Sequence, residues 1–412
     1  MLKFPDRAVA TLALPILLTG CGLFGGGSNN SLNANAPPPA VFSYAVADEP
    51  QAALVGRQIL ANGGNAADAA AAMGFALSVT LPSRAGLGGG GACIVHVPDG
   101  ADNQRPATVL LFPAGSPAVT GGDRPAAVPA MARGLLALEA SYGLLPFSSI
   151  VVPAERLAGG VPVSPALAAD LQVVGNGLLA DPAAAAIFGP GGSVLTAGAT
   201  LSQPDLAAAF EVLRTQGVPG FYNGGFASQL AAASSAAGGP FSADDMFKTV
   251  PHFTAPLLDT VGSDTVAFIP SAAPAGHALP ASAAFMALDK NGGVVACAVT
   301  MNNLFGTGRV AAGTGILLAA SPHALPTPVL AAAIAYKAEG TFRAAVTGTG
   351  QQGAAAAAAD AMYNALHNTP GALVTEPGRA NVISCPGGVP GGESSCFAQA
   401  DPRGNGLAIG SR

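Results

Sequence analysis

Ser282-Ala-Ala-Phe-Met-Ala-Leu-Asp-Lys-Asn-Gly-Gly-Val-Val-Ala-Cys-Ala-Val-Thr-Met-Asn302 is the stretch that decides the fold. Ala283 to Asp289 and Val294 to Thr300 are apolar, partly β-branched runs, with Lys290-Asn-Gly-Gly293 between them. Asn-Gly is the preferred pair for a type I′ turn, because both central residues need φ > 0. The stretch therefore predicts a β-hairpin. Near-continuous apolarity on both strands predicts burial on two faces. Pairing returns Thr300 and Asn302 to the side of Ser282, which heads the first strand just after Pro280-Ala281. A hydroxyl at a strand start, with a second hydroxyl and an amide beside it, is one way to build a nucleophile site.

Working outward, the 412 residues suffice for a large core or two domains. Half are hydrophobic and only 10% are charged, which suits a buried, small-residue-rich mixed α/β protein and not a disordered one. A net charge of −6 without a basic patch argues against nucleic acid as a partner. No His or Cys pair has metal spacing, so neither a metal nor a cofactor is expected.

The N-terminus reads as a targeting segment. Lys3 and Arg7 precede the apolar run Ala8 to Leu18, which exits through Thr19-Gly20-Cys21. The run is too short to span a bilayer as a helix and fits a secretory signal over residues 1–20. Its ending resembles a bacterial lipobox, which implies lipidation of Cys21. Residues 21–40, rich in Gly, Ser, Asn and Pro, read as a flexible tether. The expected location is the periplasmic side of a bacterial cell envelope, lipid-anchored to the membrane. Export permits disulfides. Cys385 and Cys396 flank a Gly/Pro-rich loop read as mobile, and closing it would contribute about 2–3 kcal/mol in the chain-entropy model. Cys93 and Cys297 lie in apolar strands and read as small core residues.

Further along, Gln51 to Leu60 and Ala66 to Val79 read as helices, the second capped by Asn65 with Asp68 reciprocating and apolar nearly all round. Gly88 to Gly91 precede a strand and lack the Gly-Lys-Ser/Thr of a phosphate loop, so they predict close backbone approach. Strands are expected over Ala92 to Val97, Ala107 to Phe112, Pro328 to Tyr336 and Phe342 to Thr347, with a helix over Gln351 to Leu366.

In this register the chain resembles the γ-glutamyltransferase family of N-terminal-nucleophile (Ntn) hydrolases. The resemblance rests on Asp289-Lys290, Gly292, Thr300, Asn302, Phe305-Gly-Thr-Gly308 and Gly315-Ile-Leu-Leu318. Gly63-Gly-Asn-Ala-Ala-Asp-Ala-Ala70 with Gly86-Leu-Gly-Gly-Gly-Gly91 carries it into the N-terminal half. It implies an α+β, four-layer αββα sandwich forming one globular domain over residues 41–412. Residues 41–281 would be large-subunit-like and 282–412 small-subunit-like, with self-cleavage between Ala281 and Ser282. Ser282 stands at the family's catalytic threonine, Thr300 would orient it, and Gln351 and Gln352 occupy the oxyanion Gly-Gly position. Asn302 and Ser321 fall at substrate-binding positions.

The departures are equally specific. Pro113 replaces the family arginine that grips the substrate carboxylate, and Ala319 to Ala324 replaces the run that binds the α-amino group. The family's paired serines have no counterpart near Thr327, and the chain between Leu257 and Ser282 is much shorter. The expected function is a self-cleaving amidohydrolase or acyltransferase acting on a small-molecule amide or peptide with altered specificity. The alternative is a non-catalytic homologue with a binding or envelope-structural role.

Overall fold

The computed structural model describes residues 42–98, 106–270, 282–325 and 328–411. The expected signal, the tether, Cys21 and Ala281 lie outside the described residues. At the centre stands the hairpin. Strands Ser282–Leu288 and Val294–Thr300 pair antiparallel, with Ser282 opposite Thr300 and Leu288 opposite Val294. Both are buried along their whole length.

Alternation explains why neither strand shows a polar face. Ala283, Phe285 and Ala287 point into a helical layer. Met286 and Leu288, with Val294, Ala296 and Ala298, point at a second sheet. The hairpin is the middle of a seven-stranded sheet. Outward from Ser282–Leu288 lie Ser43–Ala47 and Leu407–Ser411; outward from Val294–Thr300 lie Gly90–His96, Thr108–Phe112 and His252–Thr254. The second sheet runs Phe397–Gln399, Arg379–Val389, Phe342–Thr349, Ala331–Lys337, Asp264–Phe268, Leu257–Val261. All neighbours are antiparallel.

Helices close both outer faces. Ala66–Thr80, buried at every residue, packs on the hairpin. A Cβ on Gly74 would stand 2.7 Å from Leu135 and 3.1 Å from Phe285, so glycine sets how closely helix and sheet approach. Asn65 and Asp68 form the expected capping box. On the other side, Ala354–Leu366 lays Ala357, Ala361 and Met362 against Ala344, Val346 and Val382. The result is helix–sheet–sheet–helix, and Ala40–Arg412 forms one compact unit.

Three local expectations need correction. The hairpin turn is not type I′: Gly292 has φ 84°, but Asn291 is not in the left-handed region. The buried Asp289 carboxylate organises a longer loop instead, accepting the Asn291 and Gly293 N–H groups at 2.9 and 3.0 Å. Its other oxygen accepts Ala66 N–H at 3.1 Å, tying the turn to the helix start. Secondly, Cys93 and Cys297 are joined by a disulfide, because the register sets them directly opposite on neighbouring strands. Thirdly, the strand Arg379–Val389 runs well past Cys385, so much of the segment read as a mobile loop is sheet. Cys385 and Cys396 are bonded across the remaining turn.

Candidate active site

The ends of both sheets that carry Ser282 form the site. Ser282 shares the inward face with Met286 and Leu288, so its side chain enters the space between the sheets. The residue is 2% exposed, and its Oγ has no hydrogen-bond partner among the described residues. Thr300, opposite, is also buried; its Oγ1 accepts the Asn302 N–H at 2.8 Å. Asn302 adopts φ 62°, and its Nδ2 donates to Ala320 O at 2.7 Å. That bond brings the chain around Ser321 alongside. Ser321 is buried, its N–H donates to Pro125 O at 2.9 Å, and its Oγ accepts His323 N–H at 3.3 Å. The glycine run walls the other side: a Cβ on Gly89 would lie 2.2 Å from Thr300 O.

The second sheet supplies the opposite wall. Thr347 is on the face of Phe342–Thr349 that carries Ala345 toward the first sheet. Its Oγ1 is a second buried hydroxyl without a partner among the described residues. The strand ends at Thr349 and leads into the 3₁₀ turn Gln351–Gly353, which opens helix Ala354–Leu366. Gln351 and Gln352 thus stand on the second sheet's side, with Gln352 exposed. Pro113 follows Phe112, which pairs with Gly91, two strands along from Ser282, and it is exposed.

A polar cluster that the sequence reading missed staples the sheets together here. Asp48 directly follows strand Ser43–Ala47. Its Oδ2 accepts Ala284 N–H at 2.8 Å and its Oδ1 accepts Asn381 Nδ2 at 2.7 Å, joining the strand of Ser282 to the second sheet. Asn381 Oδ1 in turn accepts Asp401 N–H at 3.1 Å, and Asp401 pairs with Arg403 at 2.7 Å. Burial pushes the Asp48 carboxyl above its usual range, although the Asn381 and Ala284 hydrogen bonds pull the other way. Nearby, Arg84 grips Asp170 through two 2.7 Å bonds, and Ser83 Oγ donates to the same carboxylate. The cavity among Asp48, Arg84, Thr349, Arg379 and Asn381 is only about 20 Å³, enough for a water and no substrate. The polar residue ending an apolar strand at Asp48 was the one available sequence signal.

The sequence pattern of the family described as Gamma-glutamyltranspeptidase matches residues 52–281. The chain belongs to this family. It is 33% identical over 245 residues to the Glutathione hydrolase proenzyme of Escherichia coli (strain K12), covering 52% of this chain and 42% of that protein. It is 31% identical over 248 residues to the Acylase ACY 1 proenzyme of Pseudomonas sp. (strain SE83), covering 52% and 44%. The matches thus span less than half the length of these relatives. In fold, the chain is similar to cephalosporin acylase from Bacillus halodurans, with a TM-score of 0.73 at 17% identity, covering 92% of this chain and 98% of that one. The fold is that of the Ntn hydrolases. Ser282 lies immediately after the matched stretch.

Among the described residues no group of His, Cys, Asp or Glu is arranged to hold a metal.

Proposed function

We propose that this member of the family is a self-cleaving Ntn amidohydrolase or acyltransferase with Ser282 as nucleophile. The observation that carries the reading is a strand-heading hydroxyl, buried and without a partner among the described residues, held opposite Thr300 on this fold. Leaving a buried hydroxyl unpaired costs about 1–3 kcal/mol, so the position favours a reactive role over a packing one. In the first step Ser282 Oγ attacks the Ala281 carbonyl carbon. The C–N bond breaks, an ester forms on Ser282 and its nitrogen becomes a free α-amine; water then hydrolyses the ester. In turnover that amine takes the Oγ proton as Oγ attacks a substrate amide. Backbone N–H groups around Gln351 and Gln352 hold the oxyanion, a contribution commonly worth about 3–4 kcal/mol.

Specificity departs from a γ-glutamyl group. Neither Pro113 nor Ala324 offers a charge, and losing charge-assisted partners for both ends of a zwitterion weakens binding by roughly 3–6 kcal/mol. The protein is also proposed to be an exported lipoprotein anchored through Cys21 on the periplasmic side; the two disulfides support an oxidising compartment.

Incubation with p-nitrophenyl acyl esters tests the reading. After disulfide reduction, the fragment beginning at Ser282 is expected to carry one extra acyl mass, and Ser282→Ala protein none. γ-Glutamyl-anilide should be turned over very weakly. Equal acylation of both proteins would leave the non-catalytic, binding reading.

A further inference from the structure

The two outer faces of the sandwich are covered unequally. The second sheet has six strands, about 24 Å from first to last, whereas one helix is about 10 Å wide. Helix Ala354–Leu366 lies over Phe342–Thr349 and Arg379–Val389. Strands Asp264–Phe268 and Leu257–Val261 lie beyond it, and between them and the helix is a cavity of about 620 Å³. That volume falls within the ~300–1,000 Å³ of small-molecule sites. Its walls include Val261, Phe268, Ala333, Ala358 and Met362, and Leu257 and Tyr363 stand half or more exposed around it.

Two carboxylates break this apolar lining, and none of the described residues that line it is a Lys, Arg or His. Asp360 Oδ2 accepts from the Thr375 N–H and hydroxyl at 3.1 and 2.8 Å, and Asp259 Oδ1 accepts the Thr260 N–H at 2.8 Å. Among the described residues these bonds leave one oxygen of each carboxylate open to a further donor. An apolar chamber with anionic groups complements an apolar body bearing a cation.

A second copy of the chain fits less well. Leu257–Val261 is an edge strand, but pairing it with itself in full antiparallel register sets Asp259 opposite Asp259, and like charges directly opposite destabilise a sheet.

We infer that this cavity is a binding site for an amphipathic small molecule with an apolar chain or ring and a protonated or quaternary amine. The site lies on the outer face of the second sheet, away from the Ser282 face, and does not depend on the catalytic reading.

Calorimetry on the full chain with decyltrimethylammonium below its micellar concentration tests this, with decanoate and decyl glucoside as anionic and neutral matches. Saturable binding at one site is expected, at least tenfold tighter for the cation than for decanoate. Asp259→Asn should weaken it roughly two- to fivefold, as for an exposed ion pair. Ala358→Leu, which adds three carbons to the lining and narrows the cavity without filling it, should weaken binding severalfold while thermal unfolding stays cooperative. Asp259→Asn is a surface change that keeps the fold if Ala358→Leu does not. Equal binding of decanoate, binding unaffected by both substitutions, or heat that tracks dimer formation in light scattering would overturn the assignment.

Discussion

Replacing Asp48 by Ala should destabilise the protein and slacken the strand that carries Ser282. The substitution removes both carboxylate oxygens, leaving Ala284 N–H and Asn381 Nδ2 without their acceptors. Hydrogen bonds to a charged group contribute about 1.5–3 kcal/mol each, giving roughly 3–6 kcal/mol for the pair. Against this stands relief from burying the carboxylate, whose raised pKa shows that burial outweighs its partners. Allowing about half for that relief leaves about 1.5–3 kcal/mol, a factor of roughly 10–150 in the unfolding equilibrium. Asp48→Asn keeps one acceptor and should lose about half as much. Urea titration followed by circular dichroism measures both. The sign of the pH dependence is also fixed. An acid whose pKa is raised on folding contributes stability that is full below its unfolded value and is lost as pH rises through the folded one. Asn does not titrate, so the gap between wild type and Asp48→Asn should narrow as pH rises from the ordinary aspartate value of 3.8. An Asp48→Ala protein within 0.5 kcal/mol of wild type would refute the staple.

The two disulfides should differ in weight. In the uncut Ser282→Ala chain, where both loops are continuous, Cys93–Cys297 spans 204 residues and Cys385–Cys396 spans 11, so the chain-entropy model gives about 5 and about 3 kcal/mol. Double Cys→Ala variants compared by denaturant titration should rank in that order. Cys21→Ser should move the protein from the membrane fraction to a soluble or unprocessed form, and identical fractionation of both would remove the anchor.

How much was legible follows from how far apart the partners lie. Ser282 and Thr300 meet through a local hairpin, so two apolar runs and one turn sufficed to pair them. The turn type was not legible, because the Asp289 carboxylate accepts the Asn291 N–H and also draws off the Gly293 N–H that would close a type I′ turn. Cys93 and Cys297 became neighbours only once the register between strands some two hundred residues apart was known. Asp48 and Asn381 meet across two sheets, a contact that no periodicity within either strand encodes. Conversely, Gly88 to Gly91 were legible as close-approach glycines, since nothing else in the run offered phosphate chemistry.

N-terminal sequencing and intact mass of the purified chain after disulfide reduction, which frees the fragments that Cys93–Cys297 would otherwise hold together, test the central claim most directly. The α-amine that serves as base does not exist until the Ala281–Ser282 bond is cut, so an active Ntn enzyme must be a two-fragment protein. The account predicts two fragments, the smaller beginning Ser-Ala-Ala-Phe-Met, and a single chain for Ser282→Ala with unchanged circular dichroism. A wild-type chain that remains whole through long incubation would contradict it.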